Sequence, residues 1–135
     1  MALPINVSFA DLTHTGQNIA VYDFPLGILY VAAYAQRELG DRIDFEVFKH
    51  PDDFSEYLET NTPKIACFSA FTWNMNLAYA YAQKIKAASP DTITIFGGPN
   101  FGWRDSIFLA SAQFFSGGVL KRGGVLKLTL WYLVN

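Results

Sequence analysis

The run Ile65-Ala-Cys-Phe68 carries no polar side chain. As a strand it has no face to turn toward water, so it belongs inside a sheet covered on both sides. Helices cover both faces of a sheet when its strands are parallel, because each crossover must carry the chain back to the starting edge. Thr92–Phe96 is a further strand of this buried kind, and it ends in Gly97-Gly98-Pro99-Asn100.

The rest of the first hundred residues supplies the crossovers. Ile5–Phe9 alternates and is rich in β-formers, so it reads as the first strand. The polar stretch Ala10–Asn18 is a loop by composition. Pro25 suits a helix start, Leu26–Leu39 is helical and apolar on nearly every side, and Gly40 stops it. Such a helix is expected to be mostly buried. Ile43–Phe48 places Ile43, Phe45 and Val47 on one face and Asp44 and Glu46 on the other, which suits a strand near a sheet edge. Asp52–Glu59 is a short helix with acids in its first turn, where the dipole favours them, and Pro63 closes that unit. Asn76–Ala88 is a third helix with Leu77, Tyr81 and Ile85 as its stripe, and residues 89–91 turn into the fourth strand. The order β-α-β-α-β-α-β with short connections predicts an α/β fold: an open, doubly wound parallel sheet of flavodoxin-like order.

In such a sheet the three strand-to-helix loops, 10–24, 69–75 and 97–102, open on one rim, where ligands bind. The glycine pair Gly97-Gly98 is open to two readings. It brings bare backbone to the rim so that a bulky ligand can lie against it, or it is only a tight turn. Phe71 and Trp73 are equally open, as ligand contacts or as core aromatics.

Composition narrows the function classes. With 51% hydrophobic and 16% charged residues, the chain is not disordered. No apolar run approaches the roughly 20 residues that cross a bilayer. The opening Met-Ala-Leu-Pro-Ile-Asn lacks a basic region followed by an apolar one, so a cytoplasmic address is expected. Cys67 is the only cysteine, which excludes a disulfide framework and a thiolate cluster within the chain; inside its apolar run it reads as a small core residue. Residues 1–100 hold eleven acids against six bases, and residues 101–135 hold one acid against four bases, giving −5 and +3. Neither part has the basic, aromatic-interleaved stripe of a nucleic-acid binder.

Four pieces, in order, resemble the cobalamin-binding domain that stands N-terminal in many radical S-adenosylmethionine enzymes. They are Phe24-Pro-Leu-Gly-Ile-Leu-Tyr-Val-Ala-Ala-Tyr34, Cys67-Phe-Ser-Ala-Phe-Thr72 with Asn74, Ala82-Gln-Lys-Ile-Lys86 leading to Pro90, and Ile95-Phe-Gly-Gly-Pro99. The likeness covers about residues 1–101 and implies cobalamin as ligand. It implies that Ser69, Ala70, Gly97 and Gly98 flank the nucleotide tail. The loop of Phe71, Thr72, Trp73 and Asn74 would meet the corrin face, with Pro99 and Asn100 opposite. Thr13, Thr15 and Gly16 in the first loop, and Leu26 and Gly27 at the helix start, complete the expected cofactor-binding set.

One departure stands out. Many cobalamin domains carry Asp-X-His-X-X-Gly, whose His binds cobalt from below. Here Asp11-Leu-Thr-His-Thr-Gly16 keeps the Asp-to-Gly spacing but has Thr13 in the place of that His, with His14 one residue late. His14 is therefore a weak candidate for cobalt, and no metal ligand is assigned. The radical enzymes commonly lack this ligand. Their iron–sulfur cluster needs Cys-X-X-X-Cys-X-X-Cys, so no catalytic centre and no cluster are expected within this chain, and a radical domain would be a partner in a longer protein. Residues 102–135 depart from the pattern and are read as a divergent tail, either replacing the last helix and strand or arising from a truncated or altered reading frame. If the tail does not supply a fifth strand, the fourth is an exposed edge prone to self-association.

Two other functions remain in view. Thr13-His-Thr-Gly-Gln-Asn18 is similar to the phosphate loop of flavodoxins, but that loop runs straight into its helix and here residues 19–25 intervene. An interaction module whose ligand site has decayed is the other. A phospho-receiver would need an aspartate where Ser69 stands, and a serine hydrolase would need a Gly-X-Ser-X-Gly elbow that is not present.

Overall fold

The computed structural model describes residues 3–17 and 22–98. In chain order these form β1 (Ile5–Ala10), α1 (Leu26–Leu39), β2 (Ile43–Phe48), α2 (Pro51–Thr60), β3 (Ile65–Ser69), α3 (Met75–Ala88) and β4 (Ile93–Gly97), with short 3₁₀ turns at Thr15–Gln17 and Gly40–Arg42. The four strands make one parallel sheet in the order β2-β1-β3-β4. This is the flavodoxin-like α/β arrangement that the alternation predicts. The pattern places each element and gives the ends of α1 and β2 as observed, while the ends of the others differ by one residue at most. Pro51 takes the first helical position of α2, ahead of Asp52 and Asp53.

The sheet divides the core in two. On one face α1 packs Ile28, Ala32, Ala35 and Leu39 over Val7, Phe9, Ile43, Ile65, Cys67 and Ile95. On the other, α2 and α3 cover Ala10, Phe48, Ala66 and Phe68. Phe54, Tyr57 and Phe48 cluster there with ring centroids 4.8 to 6.3 Å apart. That face is also pinned by polar bonds: Tyr57 donates to Asn6 Oδ1 at 2.8 Å, and Tyr81 donates to the Pro51 carbonyl at 2.7 Å.

Two expectations need correction. The buried stripe of α3 is Ala78, Ala82 and Ile85, with Leu77 and Tyr81 only half-buried beside it. Small alanines let the helix approach the sheet closely, and the larger side chains fill the flanks. Helix α1 is not buried all round either: Leu26 is 53% and Tyr30 68% exposed. Only one face of α1 meets the sheet, and its surplus apolar residues gather at the N-terminal end, on the rim described next.

Candidate functional site

The carboxyl ends of β1, β3 and β4 converge on one rim. Helices depart from β1 and β3 to opposite faces, so the two chains part here and leave a crevice. The loop after β1 stays paired to β2: the Asp11 N–H donates to the Phe48 carbonyl at 2.9 Å and Thr13 N–H to that of Lys49 at 3.1 Å.

Asn74 ties this loop to the one after β3. Its Oδ1 accepts from the Phe71 N–H at 2.8 Å, and its Nδ2 donates to the Leu12 carbonyl at 3.0 Å and to Asp11 Oδ1 at 3.3 Å. The side chain is fully buried. Asn74 therefore braces the rim from behind. Ala70, also fully buried, donates its N–H to the Gly97 carbonyl at 2.7 Å.

The second glycine of the pair answers a backbone demand. Gly98 has φ +135°, and a Cβ there would lie under 3.0 Å from the Ala70 carbonyl oxygen and 3.1 Å from its carbonyl carbon and nitrogen. The tight-turn reading thus has a physical cause at Gly98: the two strand ends touch, backbone to backbone. Both glycines also line the space that opens beside them.

That space is two adjoining cavities. The first, about 340 Å³, lies under α1 and is lined by Phe9, Ile28, Val31, Cys67, Phe68 and Ile95 below and by Gly27, Ser69, Phe71, Gly97 and Gly98 at the rim. Its walls are almost wholly apolar. The second, about 260 Å³, is lined by Asp11, Thr13, Asp23, Lys49 and Ser69, together with Leu12, Phe24, Leu26, Gly27, Phe71 and Trp73. Gly27, Ser69 and Phe71 belong to both. A Cβ on Gly27 would meet no atom within 4 Å, so this glycine leaves open room. The rings of Phe71 and Trp73 stack with centroids 4.5 Å apart and planes 5° apart, and Trp73 is 44% exposed. Phe24 and Tyr22 stand out into solvent nearby in sequence.

Asp11 lines the polar cavity and is hydrogen-bonded to Ser69, which belongs to both cavities. Burial raises its carboxyl above the ordinary value and Asp23 adds to this, while Lys49 and hydrogen bonds from Ser69 and Asn74 pull it back without cancelling the rise. Lys49 also donates to the Asp23 carbonyl. Cys67, in the wall of the apolar cavity, has its thiol pushed up to about 12 by burial alone, as suits a core residue and not a nucleophile.

Most of the residues expected at the site are thus brought together. Ser69, Phe71, Gly27, Gly97 and Gly98 line the apolar cavity, and Thr13, Leu26 and Trp73 the polar one. Asn74 and Ala70 stand behind the rim, and Thr72 lies exposed in the turn. Thr15 and Gly16 form an exposed 3₁₀ turn and line neither cavity; half-buried His14 lines neither as well. Pro99, Asn100 and the whole of 102–135 lie outside the described residues. Sequence reasoning missed Asp23 and Lys49, which carry no local signature, and the cavity floor. The floor was findable: Phe9, Cys67 and Ile95 are register partners across three strands and share one face. Among the described residues no group of three or more His, Cys, Asp or Glu side chains could hold a metal ion. No helix there is long and apolar enough to cross a membrane.

No curated protein matches the chain. The family model of the B12 binding domain matches residues 15–116, reaching past Phe101, where the sequence likeness was last legible. Since that match spans well over half of the 135 residues, and the fold and its crevice agree with it, the chain belongs to the B12 binding domain family.

Proposed function

We propose that this chain is the cobalamin-holding module of a B12-dependent radical S-adenosylmethionine enzyme, with the iron–sulfur centre supplied by a separate radical domain. The observation that carries the reading is the paired cavity at the β1/β3 crevice. A corrinoid is a wide, amide-rimmed disc with a narrow nucleotide tail ending in an aromatic base. The apolar cavity lies at the small end of the range for ligand sites, about 300–1,000 Å³, so it suits the base and not the disc. The polar cavity offers the Asp11 carboxylate to an amide N–H and the Lys49 ammonium to a phosphate oxygen, with Thr13 and Ser69 beside them in the wall. Bound cobalamin would supply cobalt-centred transfer chemistry; the lining residues of this chain would hold the tail and shield it from water, with Phe71 and Trp73 in the wall of the polar cavity.

The radical-enzyme assignment is supported by the four sequence pieces and by Thr13. This residue stands where other cobalamin domains place the lower histidine, and it is 1% exposed. The chain therefore offers no imidazole at that position. A flavin phosphate fares worse: the turn Thr15–Gln17 does not lead into α1, which begins only at Leu26.

The test is to titrate the full chain with hydroxocobalamin and follow the visible spectrum. Saturable binding at tens of micromolar, unchanged in His14→Ala, is the expected result. A folded chain that leaves the spectrum unaltered would move the reading to an interaction module. Reading the encoding DNA beyond codon 101 for a Cys-X-X-X-Cys-X-X-Cys segment tests the radical-enzyme part separately.

A further inference from the structure

Resting on the cobalamin reading, we infer that the apolar cavity selects among corrinoids by the chemistry of the lower base, accepting benzimidazoles and rejecting purines. Corrinoids share the ring and differ at the end of the nucleotide tail. A dimethylbenzimidazole presents methyl groups and carbon edges, whereas an adenine presents an exocyclic amine and additional ring nitrogens. Each of those polar atoms leaves water on entry and needs a partner inside.

The cavity gives few. Its floor is Phe9, Cys67 and Ile95, one cross-strand row, with Ile28 and Val31 as the α1 wall. Among the described lining residues the single side chain with a hydroxyl, amide or charge is Ser69, at the mouth, and its hydroxyl is already engaged by Asp11. The Gly97 carbonyl is engaged by the Ala70 N–H at 2.7 Å. Cys67 offers only a weakly polar thiol held protonated by its surroundings. A purine amine driven against Phe9, Val31 and Ile95 exchanges water for hydrocarbon. A dimethylbenzimidazole in the same place meets walls of its own polarity. The inference goes beyond holding cobalamin: it assigns a discriminating surface to the β1–β3–β4 row.

Three probes separate the outcomes: cyanocobalamin, the corresponding adenine cobamide, and cobinamide, which has no nucleotide base. Each is titrated into the full chain and its dissociation constant measured by equilibrium dialysis. Cyanocobalamin is expected to bind at least about tenfold more tightly than the adenine cobamide, equivalent to about 1.4 kcal/mol, and more tightly than cobinamide. In Cys67→Ser, a near-isosteric change that adds a hydroxyl to the floor, the gap between the two bases is expected to narrow. Equal affinity for cobalamin and the adenine cobamide, both above cobinamide, overturns the inference and leaves the cobalamin reading standing. Equal affinity for all three shows that the base does not enter the cavity and also overturns it. Binding of none by a folded chain removes the cobalamin reading and the inference with it.

Discussion

Gly98 and Ala70 touch backbone to backbone, and no side chain fits between them. Replacing Gly98 by alanine forces both a left-handed backbone that β-carbons resist and a collision with a peptide group that cannot swing aside. We expect Gly98→Ala to lose about 1–3 kcal/mol of folding stability, read as a lower urea midpoint with unchanged slope. A midpoint equal to that of the parent chain would show that the strand ends do not meet as described.

Asn74 is expected to matter more for the fold than for the ligand. Its truncation to alanine leaves the part-buried Phe71 N–H and the buried Leu12 carbonyl without their side-chain partner. An unpaired buried group costs about 1–3 kcal/mol, so Asn74→Ala should be among the more destabilising single changes on this rim. Amide hydrogen exchange at Phe71 should accelerate in the variant, a change that mere loss of packing elsewhere would not localise.

Gly27 gives the clean test of the cavities. A Cβ added there meets no atom within 4 Å, and the residue lies in the first turn of α1. Gly27→Phe should therefore keep or slightly raise the thermal midpoint, since glycine is a poor helix residue, while filling both openings. Corrinoid binding should fall by more than tenfold, about 1.4 kcal/mol, in visible titration. Undiminished binding would place the ligand elsewhere.

Asp11 predicts a pH dependence of definite sign. Burial raises its carboxyl, so between the ordinary value near 3.8 and the folded value the native chain holds a proton that the unfolded chain has lost. Stability from this group is present below that window and declines as pH rises through it. Asp11→Asn, neutral throughout, should remove that decline, raising the urea midpoint relative to the parent chain at about pH 7 but not at about pH 3. The reverse pattern would mean that Lys49, Ser69 and Asn74 outweigh burial.

Cys67 should be silent to thiol reagents while the chain is folded. With its thiol pushed up to about 12 by burial, Cys67 stays protonated at about pH 8 and is a poor nucleophile. Labelling by a disulfide reagent is expected only on unfolding, with the same midpoint as the loss of secondary structure. Rapid labelling of the native chain would show the cavity floor open to solvent and reagent.

Much of this was legible in the sequence because strand and helix periods differ. The unbroken apolarity of Ile65–Phe68 fixed an interior parallel strand, and the alternation in Ile43–Phe48 fixed an edge, where β2 lies among the described strands. The glycine pair marked the rim. What escaped was the division of labour there. Asn74 looked like a ligand contact because it sits in a loop of aromatic residues, yet its amide reaches back to Leu12, 62 residues earlier. Gly98 looked like clearance for a ligand and answers first to Ala70. Lys49 and Asp23 meet through tertiary folding alone, and no local pattern announces such a meeting.

The long-range tie made by Asn74 has a consequence for kinetics. Asp11 and Leu12 are fastened to the Phe71–Asn74 turn before any ligand arrives, so the ordering entropy of these two stretches is spent during folding and not during capture. A preorganised mouth of this kind spares its ligand the cost of arranging the loops. Differences among corrinoids should then surface mainly as differences in how long each one stays, read as dissociation rates.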